Sequence, residues 1–344
     1  MYIKEIDFER PVELQASQPP EERGIARDEV RLLVSTPTGH QHARFVDLPN
    51  FLDAGDLLVV NRSATLAASL PASGAIGSFI LNLSTLYGNG IWLAEPRWSP
   101  AEPGPLPLHA GATIGVAGLR ARLVAQHPGI ERLWFVHIEG DICRAIALHG
   151  EPIRYGYLAQ PAPLAAYQTY FSAIPGSAEM PSAARPFTQR TVDRLRAKGL
   201  TIAGLLLHTG VSSLEIDTEQ IEEHRLYAEP FSVPGATANA VNQARADGRR
   251  VVAVGTTVVR ALESAWDGRR VQARKGFTGA YIHPGTGSQT VDGLITGLHD
   301  PKASHLAMLY AVAGQPMIRS AYQEAVEKGY LWHEFGDSHL ILTR

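Results

Sequence analysis

Val251-Val252-Ala253-Val254-Gly255-Thr256-Thr257-Val258-Val259-Arg260-Ala261-Leu262-Glu263-Ser264 reads as a strand, a turn of small residues and a helix. The strand occupies 251–254, and helical spacing runs from Val258 to about Trp266, with Arg260 and Glu263 one turn apart. A strand that turns through small residues into a helix presents free backbone N–H groups to an anion or ligand oxygen. A second switch follows at Tyr281-Ile282-His283-Pro284-Gly285-Thr286-Gly287. Then come Thr290-Val291-Asp292-Gly293-Leu294-Ile295-Thr296-Gly297-Leu298-His299-Asp300-Pro301 and an apolar helix from Ser304 to Gly314. Two such switches carrying Thr, Arg, Glu, Asp and His predict a small-molecule site on an α/β scaffold.

Each candidate has a structural alternative. Gly255-Thr256-Thr257 is either a tight turn with a Thr cap or a cradle for carboxylate or ribose oxygens, with Arg260 as bidentate partner. Arg260 and Glu263, spaced i,i+3, are also placed to pair with each other. Asp292 and His299 stand on one strand-like run as acid–base partners, or as a turn-forming Asp and a capping His. His208, at the end of the apolar run 203–207, is a general-base candidate or a satisfied strand-edge histidine. His40 and His42 lack a third ligand nearby, so no metal site is expected. The sequence contains no Ser–His–Asp signature, Walker loop or GxGxxG.

Composition narrows the class. The 344 residues accommodate about two domains, and 45% hydrophobic with 19% charged residues describes a globular chain with a sizeable core. The single Cys143 excludes an internal disulfide and fits a reducing cytoplasm. Neither a signal-peptide run nor a stretch near the roughly 20 apolar residues of a membrane helix is present. A net charge of −3 argues against wholesale phosphate neutralisation. Local basic runs do occur, at Arg185, Arg190, Arg194, Arg196 and Lys198, and at Arg269, Arg270, Arg274 and Lys275. Without interleaved aromatics they form no stacking platform.

Periodicity changes along the chain. Strand-like runs occupy 31–35 and 55–61. From 72 to 154 short alternating runs cut by Gly and Pro, such as Phe79/Leu81/Leu83 and Ala121/Leu123, read as antiparallel strands closing into a barrel or sandwich. Beyond Pro161 helical spacing takes over, with runs at 190–198, 237–246 and 321–328 ending near Gly199, Gly248 and Gly329. The expected plan is a discontinuous α/β main domain, 1–71 and 155–344, with an all-β barrel-like domain, 72–154, inserted.

The chain resembles the S-adenosylmethionine:tRNA ribosyltransferase-isomerase family of queuosine biosynthesis nearly end to end. The resemblance is carried by the 255–264 run, Pro284-Gly285, Val291-Asp292, His299, Pro301 and Gly336-Asp337. Upstream it rests on Gly55-Asp56-Leu57-Leu58-Val59-Val60-Asn61, Tyr167-Gln168-Thr169, Leu207-His208-Thr209-Gly210, His224 and Glu229. It implies the same two-domain plan in a cytoplasmic, monomeric enzyme that uses S-adenosylmethionine as substrate, with tRNA as partner and no metal, membrane or bound cofactor. The implied reaction moves the ribosyl unit to the exocyclic amine of 7-aminomethyl-7-deazaguanine in tRNA, forming epoxyqueuosine. A base removes a proton beside the sulfonium, adenine leaves, the amine attacks, and epoxide closure expels methionine. Asp292, His208, His299 and Glu229 are the expected catalytic groups. Asn61, Gln168, Thr256, Thr257, Arg260, Glu263 and Tyr281 are the expected substrate contacts.

Several positions depart from the family pattern. Ala64 and Ser69 stand where it carries basic residues, and Pro186 stands in place of a His. Ser212-Ser213-Leu214 replaces Gly-Thr-Phe, and Tyr227 replaces a second His. These changes predict weakened tRNA turnover, with Arg62 and Arg185 available to compensate. The alternative expectation is a relative that binds S-adenosylmethionine or RNA without this activity, or that uses a non-tRNA acceptor.

Overall fold

The structure, a computed structural model, describes residues 1–100, 102–211 and 215–344. Its frame is a nine-stranded sheet in the order Arg274–Thr278, Glu229–Val233, Thr201–Leu207, Leu57–Asn61, Val251–Val254, Gly293–Gly297, Ser338–Leu342, Arg31–Thr36, Gly39–Arg44. The four strands from Thr201–Leu207 to Gly293–Gly297 are mutually parallel, so their C-terminal ends share one edge. The antiparallel neighbours lie outside them.

Both faces of the central strands are buried, which explains their unbroken apolar runs. Leu57, Val59, Val251, Ala253 and Leu294 join the core on one side. Leu58, Val60, Val252, Val254 and Ile295, their alternate neighbours, join the core on the other. Helices cover the two faces. Their expected ends are close to those observed: Gln189–Ala197, Gly235–Ala246 and Gln315–Glu327 each stop just before a glycine at positive φ, Gly199, Gly248 or Gly329. The helix expected from Val258 begins at Thr256 and ends at Ser264. Gly255, at φ +97, turns the chain sharply enough for both threonines to join the first turn.

The second unit is a closed antiparallel barrel in the order Trp134–Ile138, Ile91–Arg97, Gly77–Gly88, Ser69–Gly74, Thr113–Val116, Leu119–Gln126. Closure leaves no free strand edge. Leu70, Leu81, Leu83, Val116, Leu123 and Val136 fill its interior. One helix, Ile142–His149, follows, capped by Asp141 accepting the Arg144 N–H at 3.0 Å. The barrel is inserted between the two members of the short parallel pair Ser63–Thr65/Ile174–Ser177, the first of which follows directly on Leu57–Asn61, so it grows from the C-terminal edge of the sheet. It is pinned there by Tyr87, whose ring stacks on Phe277 at 5.2 Å and whose hydroxyl donates to the Ala228 carbonyl at 2.7 Å.

Candidate active site

A cavity of about 410 Å³ lies at that edge of the sheet, within the roughly 300–1,000 Å³ typical of small-molecule sites. Its floor is made by strand ends: Gly255, Thr256 and Thr257 after one strand, and Thr296 to Asp300 at the close of the next. Tyr155, Tyr157, Glu179 and Met180 cover it, and His333 and Glu334 close one side. The outer end of parallel strands is the general location for ligands in open α/β sheets.

Thr256 and Thr257 are nearly buried and open the Thr256–Ser264 helix. First-turn N–H groups have no intrahelical acceptor and carry the positive end of the helix dipole. His299 also lines the cavity, its Nε2 sharing a hydrogen bond with Thr296 Oγ1 at 2.7 Å. Its ring stacks on His305 at 4.7 Å and 12°. Burial, and then the neighbouring histidines, hold it well below the usual histidine range. It is therefore a neutral imidazole at neutral pH, as a proton acceptor must be.

Opposite lie features that no sequence expectation named. Tyr155 stacks on Tyr157 at 6.2 Å and 21°, and Tyr157 on His333 at 4.5 Å and 17°, forming a stack of three rings in nearly parallel planes that walls the cavity on that side. Tyr155 donates its hydroxyl to Glu179; burial and then that carboxylate push the phenol well above its ordinary value. His333 sits at φ +71, a left-handed backbone costly for a non-glycine residue. It is 3.2 Å from Asp300, which also pairs with Arg10 at 2.9 Å. The available signal was Tyr155 and Tyr157 spaced i,i+2, which places two rings on one side of an extended chain.

The remaining expected residues have other tasks. Asp292 precedes Gly293–Gly297, so it lies at the opposite end of the sheet from the cavity. There it accepts the Val251 N–H at 2.9 Å and pairs with Arg344 at 2.7 Å. The geometry removes it from a catalytic role, because an extended strand of five residues spans about 16 Å. Glu263 accepts from Ser288, Gln289 and Thr290 at 2.7–2.9 Å, fastening that loop to the helix rather than pairing with Arg260.

Arg260 does not reach the cavity. It forms a buried ion pair with Glu229 and donates to the Ala280 carbonyl at 2.9 Å and the Thr278 carbonyl at 3.3 Å. Glu229 also accepts the Gly210 N–H at 2.6 Å, so neither charge is free for substrate. With Tyr281 and His305 they enclose a separate void of about 30 Å³, room for one water. The Tyr281 hydroxyl has no hydrogen-bond partner, and burial, then Glu222, push its phenol upward.

Asn61 bridges two strand ends. Its Nδ2 donates to the Leu207 carbonyl at 2.8 Å, and its Oδ1 accepts from the Ser63 and Leu207 N–H groups at 3.1 Å. It reaches the site only through Thr257 Oγ1 at 3.3 Å. Gln168 exchanges both amide hydrogen bonds with the Thr65 backbone, at 3.1 and 2.8 Å. His208 stands behind the cavity wall with its Nδ1 2.7 Å from Ser63 Oγ. Burial lowers its pKa, and the ring packs so close to Gly176 that a Cβ there would lie 2.4 Å away.

Arg185 is buried, donating to the Ala166 carbonyl and to Glu21 at 2.9 Å each, so it cannot compensate for a missing cation. Arg62 is exposed. The replacement at Ser212-Ser213-Leu214 lies outside the described residues.

Comparison with known proteins agrees with this architecture. A queuosine biosynthesis protein family profile matches residues 3–341. The S-adenosylmethionine:tRNA ribosyltransferase-isomerase of Moorella thermoacetica is 37% identical over 99% of the chain and all of its own length. The enzyme of the same name from Thermus thermophilus is 36% identical over 99% of both chains. Among solved structures, the S-adenosylmethionine tRNA ribosyltransferase of Thermotoga maritima is similar with a TM-score of 0.56 and 28% identity. That match covers 98% of this chain and 100% of that one.

Proposed function

The chain belongs to the queuosine biosynthesis protein family, and on that premise we propose that it is an S-adenosylmethionine:tRNA ribosyltransferase-isomerase. It transfers and isomerises the ribosyl moiety of S-adenosylmethionine onto 7-aminomethyl-7-deazaguanine in tRNA, in the cytoplasm, as a monomer without metal or bound cofactor. The observation that carries this reading is the cavity itself. A helix N-terminus with Thr256 and Thr257 lies on one side, and an aromatic wall with a carboxylate on the other. S-adenosylmethionine has matching ends: an α-carboxylate for the N–H groups, a sulfonium for aromatic faces and a carboxylate, and a purine for stacking.

In this reading the methionine carboxylate docks on Thr256 and Thr257, and the sulfonium lies beside Glu179 and Tyr155. His299 takes the proton that the sulfonium acidifies on the adjacent 5′ carbon. Asn61 positions Thr257. Glu229, Arg260, Tyr281, Gln168, Glu263 and His208 hold the surrounding backbone. The alternative of a relative that only binds, or that uses another acceptor, is not favoured, because the named relatives align over the whole chain. Among the described residues no helix is long and apolar enough to cross a membrane.

The test is incubation with S-adenosylmethionine and tRNA carrying 7-aminomethyl-7-deazaguanine, followed by nucleoside analysis. Formation of the epoxide-bearing nucleoside is the expected outcome. Consumption of S-adenosylmethionine only with a non-tRNA amine, or not at all, would refute the assignment.

A further inference from the structure

We propose that Glu334 is the acid that delivers a proton to the departing adenine. The inference rests on the reading above, in which S-adenosylmethionine is the ribosyl donor, and adds a residue that nothing in that reading assigns.

Glu334 lines the cavity beside the aromatic wall, next in the chain to His333. Its Oε2 is shielded from solvent and has no hydrogen-bond partner, and no ion pair to it exists among the described residues. Leaving an ionised carboxylate so placed is costly, and a buried group of this kind takes a proton instead. Burial accordingly raises its pKa to about 7. What the position lacks is an acceptor for that proton. A purine packed against the Tyr155–Tyr157–His333 stack would bring its edge nitrogens, which are acceptors, toward Glu334, next in the chain to His333.

Glu179 lies in the same cavity but accepts from the Tyr155 hydroxyl. The two carboxyl groups thus have different surroundings, the arrangement by which a site separates an acid from an ionised partner. Tyr155, which feels the Glu334 charge, is kept protonated by burial and by Glu179, and burial keeps His333 and His299 neutral. The Arg10–Asp300 pair completes the cavity side. Behind Glu334, Arg27, Arg185 and Asp337 face it across a second, smaller void of about 10 Å³.

The C1′–N9 bond breaks and its electron pair moves onto adenine. The Glu334 O–H bond breaks and an N–H bond forms on the base, so neutral adenine departs and a carboxylate remains. That carboxylate regains a proton from the amine as the amine attacks the sugar.

The test compares wild type with Glu334→Gln, which keeps the shape but has no acidic proton. Turnover is expected to fall by about 10²-fold or more, while the Kd for S-adenosylmethionine by titration calorimetry stays within about threefold. Wild-type kcat should decline as pH rises through the neighbourhood of 7, and that limb should vanish in the variant. Glu334→Asp, an acid of shorter reach, should recover part of the rate. Equal turnover by Glu334→Gln, or the same alkaline limb in it, would overturn the proposal while leaving the donor assignment intact. Should Glu334→Gln fail to fold, the wild-type profile decides: a kcat flat between about pH 6 and 9 rules out a titrating acid. A wild type that does not consume S-adenosylmethionine removes the donor assignment and this proposal together.

Discussion

Arg260 shows how a conspicuous residue can mislead. Its place one turn into a helix after Gly255-Thr256-Thr257 suits a carboxylate clamp, yet in the folded chain Glu229 and two carbonyls engage it. Removing one member of such a buried pair strands the other, a cost of about 3–5 kcal/mol. Arg260→Ala is therefore expected to lower the urea midpoint strongly, and Arg260→Met combined with Glu229→Leu to restore most of it. A single variant as stable as wild type would show that the pair is not structural. Thr256, Thr257 and His299 line the cavity where the sequence could place them, because each follows the end of a recognisable strand. Asp292 was misplaced because a strand-like run does not reveal which end faces the site; that depends on whether its neighbours run parallel. Glu179, Glu334 and the stacked tyrosines were not legible because they meet only when the segments around 155–180 and 333–334, far apart in the chain, come together over the strand ends.

Among elements, the junction between barrel and sheet carries the most constraint. Gly210 lies where a Cβ would stand 2.3 Å from the Tyr227 hydroxyl and 2.4 Å from Ser84 Oγ. Both neighbours are buried and bonded to each other at 3.2 Å. Ser84 cannot yield without moving its strand, Gly77–Gly88. Gly210→Ala should therefore destabilise by about 1–3 kcal/mol, the usual range for overpacking. It should also raise the apparent Kd for S-adenosylmethionine, since the adjacent Thr209 lines the cavity. Calorimetric unfolding and ligand titration check the two effects, and unchanged values in both would mean that the junction is plastic. Strands and helices of these units were legible from alternation and from glycines past helix ends. The pairing order was not, because it brings together segments more than a hundred residues apart.

Over the whole molecule, buried histidines dominate the response to acid. His339 is fully buried with its pKa lowered to about 3, His305 is lowered to about 4, and His299 lies well below the ordinary value. The unfolded chain protonates these groups near pH 6.5 and the folded chain resists, so stability present above that value is lost as pH falls toward 4. The fully buried His339 contributes up to about 1.4 kcal/mol per pH unit in that window, and His299 and His305, which are half-buried and line the cavity, contribute less. Glu334 has the opposite shift, binding a proton in the fold at about 7, and offsets roughly one of them until the unfolded carboxyl also protonates. The expected result is a urea midpoint that drops from pH 7 to pH 5, before most carboxylates titrate. A midpoint constant over that interval would contradict the burial of these rings.

The strand Ser338–Leu342 lies between Gly293–Gly297 and Arg31–Thr36, and this has a consequence for biosynthesis. A ribosome delivers residues 31–36 early and 338–342 after every other strand of the sheet. The early strand must therefore wait for its parallel partner through synthesis of some three hundred residues, while the barrel, local in the chain, can close as soon as it emerges. Until the last strand inserts, two flanks of the sheet remain unpaired edges exposed to wrong partners. Completion of the large sheet thus waits for the last of these strands, and a nascent chain stalled before it would display a finished barrel on an unfinished base.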